Sequence, residues 1–115
     1  MKKNNIIKES YEFTEIINTG NTIKNKYYSI FYKNKIKDIN RYGITIPKKI
    51  GKSVIRNKIK RQIKNIIDTN ELYIQKSYDY VIIIKKHILN LTYQEEKEQL
   101  MDLFNKIGEK NEKTN

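Results

Sequence analysis

The sequence contains no cysteine and no tryptophan, and its 115 residues include one proline, one histidine and only four glycines. Without cysteine the chain can form neither a disulfide framework nor a thiolate metal site, which fits a reducing cytoplasm. It lacks any apolar run of about 18 residues, so no membrane span is expected, and its basic N-terminus has no apolar segment typical of a secretory signal. These absences favour a single cytoplasmic domain with an ordinary apolar core.

Acidic residues are few relative to basic ones. The chain has 24 lysines and arginines against 13 aspartates and glutamates, which gives a formal net charge of +11 at pH 7. Self-repulsion among so many like charges opposes compaction, and a polyanionic partner relieves it. Nucleic acid is the commonest such partner of a basic domain. The alternative is a lysine-rich composition without that function.

The pattern of apolar residues predicts three helices and three strands. The last strand is a near-continuous apolar run, which indicates burial on both faces in a central or parallel position. The two earlier strands are expected to pair as an antiparallel hairpin, and alternation in the first places Tyr28 and Phe31 on opposite faces. The helices are predicted at residues 9–19, 53–67 and 92–107, and the strands at 23–36, 41–47 and 78–86.

The order α-β-β-α-β-α predicts a single α+β domain in which helices pack on a mixed sheet. This domain is expected to span residues 1–108. Residues 109–115 are polar and have no apolar anchor, so they are predicted to form a disordered tail. Signals at the helix ends are Ser10 as the cap of the first helix and Gly20 as its stop, and Thr92 with Glu95 as a capping box for the last.

The segment at 48–67 separates apolar from basic residues along a helix. At about 100° per residue, five isoleucines fall on one face, which is expected to be buried. No acidic residue occurs from Arg41 through Ile67, whereas a solvated face normally mixes charges of both signs. The buried face comprises Ile55, Ile59, Ile63, Ile66 and Ile67, and the opposite side carries Arg56, Asn57, Lys60, Arg61 and Lys64.

The start of this helix concentrates cations where the helix dipole disfavours them. Lys48, Lys49, Lys52 and Arg56 lie in or just before the first turn. A phosphate bound there would accept hydrogen bonds from free backbone N–H groups and offset the repulsion, and Gly51 would allow close backbone approach. The pattern predicts a phosphate-binding surface, with a solvated lysine face as the alternative.

The segment RYGITIPKKIGKSVIRNKIKRQIK, residues 41–64, resembles the signature of the bacterial ribonuclease P protein family. That signature reads roughly R-x-G-x-x-V-x-K-K-x-G-x-A-V-x-R-N-x-x-K-R-x-x-R. Length and element order are similar along nearly the whole chain, including the block FTEIINTG. Ser53 replaces the usual alanine, and Lys58 and Lys64 replace common arginines, keeping the charge without arginine's forked geometry. The matching residues are Arg41, Gly43, Lys48, Lys49, Gly51, Val54, Arg56, Asn57, Lys60 and Arg61.

The resemblance implies the protein subunit of an endoribonuclease that removes the 5′ leader from precursor tRNA. Its partners would be ribonuclease P RNA, which carries the catalysis, and precursor tRNA, with no membrane or small-molecule substrate involved. Magnesium would be the cofactor, bound mainly by the RNA and not by a protein-only site. The implied fold is that of the second domain of ribosomal protein S5, with a left-handed βαβ crossover, a rare hand. The residues expected to face the catalytic RNA are Lys48, Lys49, Lys52, Arg56, Asn57, Lys60, Arg61 and Lys64.

The resemblance also implies a cleft for the single-stranded leader between the first helix and the sheet. Phe13, Ile17, Tyr28 and Phe31 are the candidate lining residues. Aromatic faces stack on single-stranded bases without requiring a specific sequence. Phe13 and Phe31 stand where the family places cleft aromatics, and Ile17 stands where another is often found. The alternative is that the three aromatic side chains belong to the core.

No catalytic apparatus is recognisable in the sequence. The only histidine, His87, is interpreted as structural, because a general base needs a positioned partner, and no catalytic triad, glycine-rich phosphate loop or metal-ligand cluster occurs. Two other functions are alternatives to the subunit of an RNA enzyme. One is a structural RNA-binding protein of ribosomal type. The other is a DNA-binding regulator, which is disfavoured because a strand, and not a helix, precedes residues 53–67.

Overall fold

The computed structural model describes residues 1–35 and 38–113, with side chains described through residue 110. Short 3-10 turns occupy Lys3–Asn5, Lys48–Ile50, Glu71–Tyr73 and Lys86–Asn90. The helices are α1 (Ser10–Thr19), α2 (Ser53–Thr69) and α3 (Tyr93–Lys113), and the strands are β1 (Asn21–Lys24), β2 (Tyr28–Asn34), β3 (Arg41–Thr45) and β4 (Tyr78–Ile84).

The strand predicted at 23–36 is two strands joined by a turn at Asn25. The Asn25 side-chain Oδ1 accepts hydrogen bonds from the backbone N–H groups of Tyr27 and Tyr28, both at 2.9 Å. Such an asparagine turn reverses the chain, and β1 therefore pairs antiparallel with β2. The prediction of one continuous strand was wrong because this side-chain bond is local and leaves no break in the apolar pattern. Its predicted end, residue 36, lies outside the described residues.

The hairpin predicted between the strands at 23–36 and 41–47 is also wrong, since β2 and β3 do not pair. The sheet order is β1-β2-β4-β3, so β4 lies between β2 and β3. It pairs antiparallel with β2 and parallel with β3. The mixed sheet and the central, doubly buried position of β4 are confirmed. The connection from β3 through α2 to β4 forms a parallel βαβ crossover. Its left-handedness stays a prediction.

The two faces of the sheet support two separate apolar clusters. Tyr28, Ile30 and Tyr32 of β2 are buried in the larger cluster, together with side chains of α2 and α3. The opposite face of the sheet packs against α1 in a smaller cluster, where Val81 contacts Ile16 and is flanked by half-buried aromatic rings. The alternation predicted for β2 is confirmed, and it determines which side chains can reach α1.

An ion-pair cluster fastens α1 to the sheet. The Arg41 guanidinium donates to both carboxylate oxygens of Asp79, at 3.0 and 2.7 Å, and to Glu12 of α1 at 2.6 Å. Asp79 is only 2 % exposed, and its hydrogen bonds are the main reason that the pKa of Arg41 is raised. Charge-assisted, two-pronged bonds of this kind fix geometry as well as charge. Arg41 therefore acts in the structure of the domain.

The helix ends follow the sequence signals in part. The capping box is confirmed, since Thr92 N–H donates to Glu95 Oε1 at 2.9 Å and Glu95 N–H donates to Thr92 Oγ1 at 3.2 Å. Ser10 is the first residue of α1 and not its cap; the cap position is Glu9, without a side-chain bond. Helix α3 continues to Lys113, beyond the predicted end at residue 107, because no proline interrupts it. Residues 114–115 lie outside the described part, and the disorder of the tail stays a prediction.

Gly20 ends α1 through close packing and not through a left-handed conformation. Its φ is −83°, and a Cβ placed there would lie 2.6 Å from the Ile16 carbonyl oxygen and 2.7 Å from that of Tyr32. Both obstacles are backbone atoms, which side-chain rotation cannot move. Glycine at this position lets α1 approach β2.

We expect Gly20→Ala to lower the free energy of unfolding by about 1–3 kcal/mol, because the added methyl forces backbone apart. Gly108→Ala is the matched control in α3, where the nearest atom to an added Cβ is Gln75 Oε1 at 3.9 Å. It should raise stability by roughly 0.5–1 kcal/mol. Urea unfolding measures both, and equal stability of Gly20→Ala and the parent would show that the close approach does not constrain the fold.

Glu96 is a buried carboxyl group at the start of α3. It is 3 % exposed, and its Oε2 has no hydrogen-bond partner among the described residues. Desolvation raises the pKa of Glu96 to about 7, while Lys58 acts in the opposite direction. A neutral carboxyl is therefore favoured in the folded state up to near-neutral pH.

The raised pKa predicts a pH-dependent loss of stability. The stability that Glu96 contributes is complete below about pH 4.5, the ordinary pKa, and is lost as the pH rises through about 7. Glu96→Gln should match the parent in free energy of unfolding near pH 4 and exceed it above pH 7, by about 1 kcal/mol or more. The exposed Glu98 gives the control, since Glu98→Gln should show no such trend. A constant difference between Glu96→Gln and parent from pH 4 to 8 would contradict the assignment.

Candidate nucleic-acid interface

Helix α2 buries one face and exposes the other. Ile59, Ile63, Ile66 and Ile67 are all buried, as predicted. Ile55 is 41 % exposed, so its assignment to the core was wrong. It lies in the first turn of α2, ahead of the first residue that packs against the sheet, where periodicity alone cannot show that the core has ended.

The exposed side of α2 carries cations that have no acidic partner. Within residues 1–35 and 38–110, no carboxylate oxygen lies within 4 Å of the side-chain nitrogen atoms of these lysines and arginines. Arg41 and Lys33, in contrast, form ion pairs with carboxylates. Arg56 and Lys64 are half-buried and the others are exposed. The structure therefore brings together all the predicted residues of this surface on α2 and the turn before it, which are Lys48, Lys49, Lys52, Arg56, Asn57, Lys60, Arg61 and Lys64. We call this set the α2 basic surface.

The first turn of α2 has free backbone donors. Lys52 is the cap residue and forms no side-chain cap bond, and no acidic residue occurs in the first turn. Arg56 turns back over this end, where its Nε donates to the Gly51 carbonyl at 3.1 Å and its Nη2 donates to Ser53 Oγ at 3.3 Å. A guanidinium thus lies beside unsatisfied N–H groups, an arrangement that can bind an anion.

A groove of about 240 Å³ runs along β3, an edge strand of the sheet. Phe13 of α1 covers Gly43 so closely that a Cβ on Gly43 would lie 2.4 Å from the ring. Glycine at position 43 therefore leaves room for the tip of the Phe13 ring against β3. On the other side of the groove, Lys60 and Lys64 of α2 form a cationic wall. We call this site the β3-edge groove.

Only two of the four predicted cleft residues lie together. Phe13 and Phe31 are both half-buried against the smaller cluster beneath α1, and Phe13 also lines the β3-edge groove, whereas Ile17 is exposed on α1. Tyr28 lies on the opposite face of the sheet with no exposed surface. Its hydroxyl donates to the Glu96 carbonyl at 3.0 Å, and burial raises the pKa of Tyr28. Tyr28 cannot belong to a cleft on the α1 side, because strand alternation points it away from Phe31.

Sequence reasoning missed Lys8 and Ile44, which also line the β3-edge groove. Lys8 precedes the first helix and carries no periodic signal. It reaches this groove because Ile7 N–H donates to the Tyr42 carbonyl at 3.0 Å, which attaches the N-terminal segment to β3. Only this long-range pairing places Lys8 near the cations of α2.

Two further features bear on the chemistry. Among the residues that the structure describes, no helix combines the length and apolar character that a membrane span requires. In the same part of the chain, no three histidine, cysteine, aspartate or glutamate side chains converge to hold a metal ion. His87 lies exposed in the turn Lys86–Asn90.

The fold and site define a small α+β domain that presents unpaired cations beside an aromatic groove, as RNA-binding proteins do. The family model of ribonuclease P matches residues 1–108. The chain is 43% identical over 108 residues to the ribonuclease P protein component of Mycoplasma capricolum, covering 93% of this chain and 99% of the relative. It is 37% identical to that of Clostridium acetobutylicum, covering 92% and 91%. The chain belongs to the ribonuclease P protein family.

Solved structures agree with this membership. The RNase P protein of Thermotoga maritima has a TM-score of 0.78 at 28% identity, with 83% of this chain and 90% of that chain covered. A Staphylococcus aureus RNase P protein mutant with defective mRNA degradation activity has a TM-score of 0.85 at 28% identity, with 93% and 90% covered. The predicted function is thereby confirmed over the ribosomal and DNA-binding alternatives. The chain is a subunit of the ribonuclease P endonuclease and acts in removal of the tRNA 5′ leader.

Proposed function

We propose that the α2 basic surface binds ribonuclease P RNA and that the β3-edge groove holds the 5′ leader of precursor tRNA. The observation that carries this proposal is the position of Lys60 and Lys64, which belong to the basic surface and also form one wall of the groove. One helix would thus lie between two RNA strands. Its cations would lower the electrostatic repulsion between them.

The α2 basic surface suits a folded RNA backbone. Its cations keep their charge available, because none is neutralised by a carboxylate among the described residues. Phosphates at the start of α2 would meet Arg56 and the free N–H groups together. Each phosphate neutralised releases counterions, so binding should weaken steeply as salt concentration rises.

The β3-edge groove suits a single strand. The ring of Phe13 is half-exposed beside Gly43 and would stack on a base. Lys60 and Lys64 stand opposite, where they can follow the phosphates of the same strand. Stacking combined with a cationic wall binds single-stranded RNA with little sequence preference. That matches leaders, which vary in sequence from one tRNA precursor to another.

The proposal includes a cytoplasmic site of action and magnesium held mainly by the RNA. Magnesium prefers oxygen ligands in octahedral geometry and often binds phosphates. The chain's part would be to supply fixed positive charge at the RNA–RNA junction. Its contribution should therefore be largest at low magnesium concentration, where mobile ions screen least.

Arg56→Ala should weaken affinity for ribonuclease P RNA about tenfold or more, since a charge-assisted hydrogen bond contributes roughly 1.5–3 kcal/mol. The loss of affinity should be largest at low magnesium concentration. Lys76→Ala is the charge-matched control, because Lys76 is exposed just before β4, at the end of the sheet away from the start of α2. Filter binding measures both, and equal affinities of the two variants would rule out Arg56 as a contact.

Phe13→Ala should weaken binding of precursor tRNA by the reconstituted enzyme when the leader is long, because stacking contributes about 1–3 kcal/mol per base. Substrates with a leader of one nucleotide should bind normally. Tyr11→Ala is the control on the same helix, as Tyr11 is 69 % exposed and outside the groove. A loss that does not depend on leader length, in a variant whose circular dichroism is unchanged, would assign Phe13 to packing alone.

A further inference from the structure

A second groove of about 240 Å³ lies on the other flank of α2. Lys58 and Gln62 line it, whereas Lys60 and Lys64 line the β3-edge groove. Two residues along a helix correspond to about 200° around its axis, so the two grooves lie on nearly opposite sides of α2. The far wall of the second groove comes from the segment after β4 and from α3. We call this site the α2–α3 groove.

The α2–α3 groove has an apolar rim that nothing in the described chain covers. Val54 is 79 % exposed, Ile55 41 % and Leu89 47 %, and all three line it. Single exposed apolar side chains are ordinary, but several around one concavity mark a binding site. The volume is below the roughly 300–1,000 Å³ of small-molecule sites. The groove is therefore sized for one flat group and not for a whole cofactor.

The same groove is lined by a carboxyl group whose hydrogen bonding is incomplete. Glu96 is buried to 97 % and its Oε2 has no partner among the described residues. A buried polar atom without a hydrogen-bond partner is unfavourable. Lys58 acts on Glu96 electrostatically, with no ion pair between them within 4 Å. Hydrogen-bond donors from a ligand would favour the ionised form of Glu96 over the neutral form that burial favours, and an ionised carboxylate can only accept hydrogen bonds. A matching ligand must therefore bring N–H or O–H donors on an apolar, flat body.

We propose that the α2–α3 groove receives an unpaired guanine base from the RNA that α2 binds, with Glu96 accepting its hydrogen bonds. This inference rests on the proposed function of the α2 basic surface. Guanine presents two adjacent donors, N1–H and N2–H, on its Watson–Crick edge, and unstacked bases are commonly read on that edge. Leu89 and Ile55 would pack against its faces. Lys58 would contact its phosphate.

Charge complementarity favours RNA as the occupant. The part of α2 that lines the groove has no acidic residue, and Glu96 is the one carboxyl group among the residues lining it. Lys58, the cation among the lining residues, would attract a phosphate, while the buried Glu96 carboxylate would select the donors of the base. Rotamer changes at interfaces are common, and the exposed rim side chains of Leu89 and Ile55 are free to turn and open access to Glu96.

The first test compares two charge substitutions at exposed leucines. Leu89→Asp places a negative charge at the groove rim, and Leu72→Asp places the same charge in the turn Glu71–Tyr73, outside both grooves. Affinity for ribonuclease P RNA should fall about tenfold or more with Leu89→Asp and about twofold or less with Leu72→Asp. Equal affinities of the two variants would overturn the proposed guanine site in the α2–α3 groove but leave the proposed function of the α2 basic surface intact. A parent protein that does not bind this RNA would instead overturn the proposed function and the inference with it.

The second test identifies the base. With a photo-crosslinking benzoylphenylalanine in place of Val54, the full chain bound to ribonuclease P RNA should crosslink to an unpaired guanine. Replacing that guanosine by inosine removes the N2 donor, and this should weaken binding of the RNA to the parent protein by roughly fivefold or more. The same replacement should have a smaller effect on Glu96→Gln, whose amide accepts with only one oxygen. Crosslinking to another base, or an inosine effect that is equal in both proteins, would overturn the inference.

Discussion

The parallel pairing of β3 with β4 is the constraint on which the rest of the structure depends. Parallel neighbours need a long crossover, and α2 supplies it, starting beyond the end of β3 and finishing before β4. Because β4 also pairs with β2, strand β3 is left at the edge of the sheet. The crossover therefore places the middle of α2, which carries Lys60 and Lys64, near β3, and this creates the groove between Phe13 and the cations of α2.

The cations of the domain differ in whether a carboxylate neutralises them. Arg41 is neutralised by Asp79 and Glu12, and this pairing holds α1 over the sheet. Cations on α2 have no such partners in the described part of the chain, although one of them, Arg56, sits where the helix dipole already repels it. Burial of the isoleucine face stabilises α2 strongly enough to carry this unfavourable charge. Bound phosphates would relieve this repulsion. The unpaired cations therefore lower the stability of the free domain and raise its affinity for RNA.

Several features could be predicted because they are encoded locally. The alternation of Tyr28, Ile30 and Tyr32, the capping box at Thr92 and the basic face of α2 all follow from short-range periodicity and side-chain chemistry. Long-range pairing could not be predicted in this way. The hairpin was wrong because strands adjacent in sequence usually pair, and nothing local shows that β4 inserts between them. Tyr28 was placed in the cleft by its aromatic character, although its own alternation with Phe31 argued against this.

The central claim, that α2 lies between two RNA strands, can be tested directly because the chain has no cysteine. Single-cysteine variants Asn57→Cys and Lys8→Cys can each carry an iron–EDTA probe in the complex of protein, ribonuclease P RNA and precursor tRNA. Asn57 lies on the α2 basic surface and Lys8 lines the β3-edge groove. The account predicts that hydroxyl radicals from position 57 cleave ribonuclease P RNA and that those from position 8 cleave the tRNA leader. Cleavage of the leader from position 57 alone, with none from position 8, would contradict it.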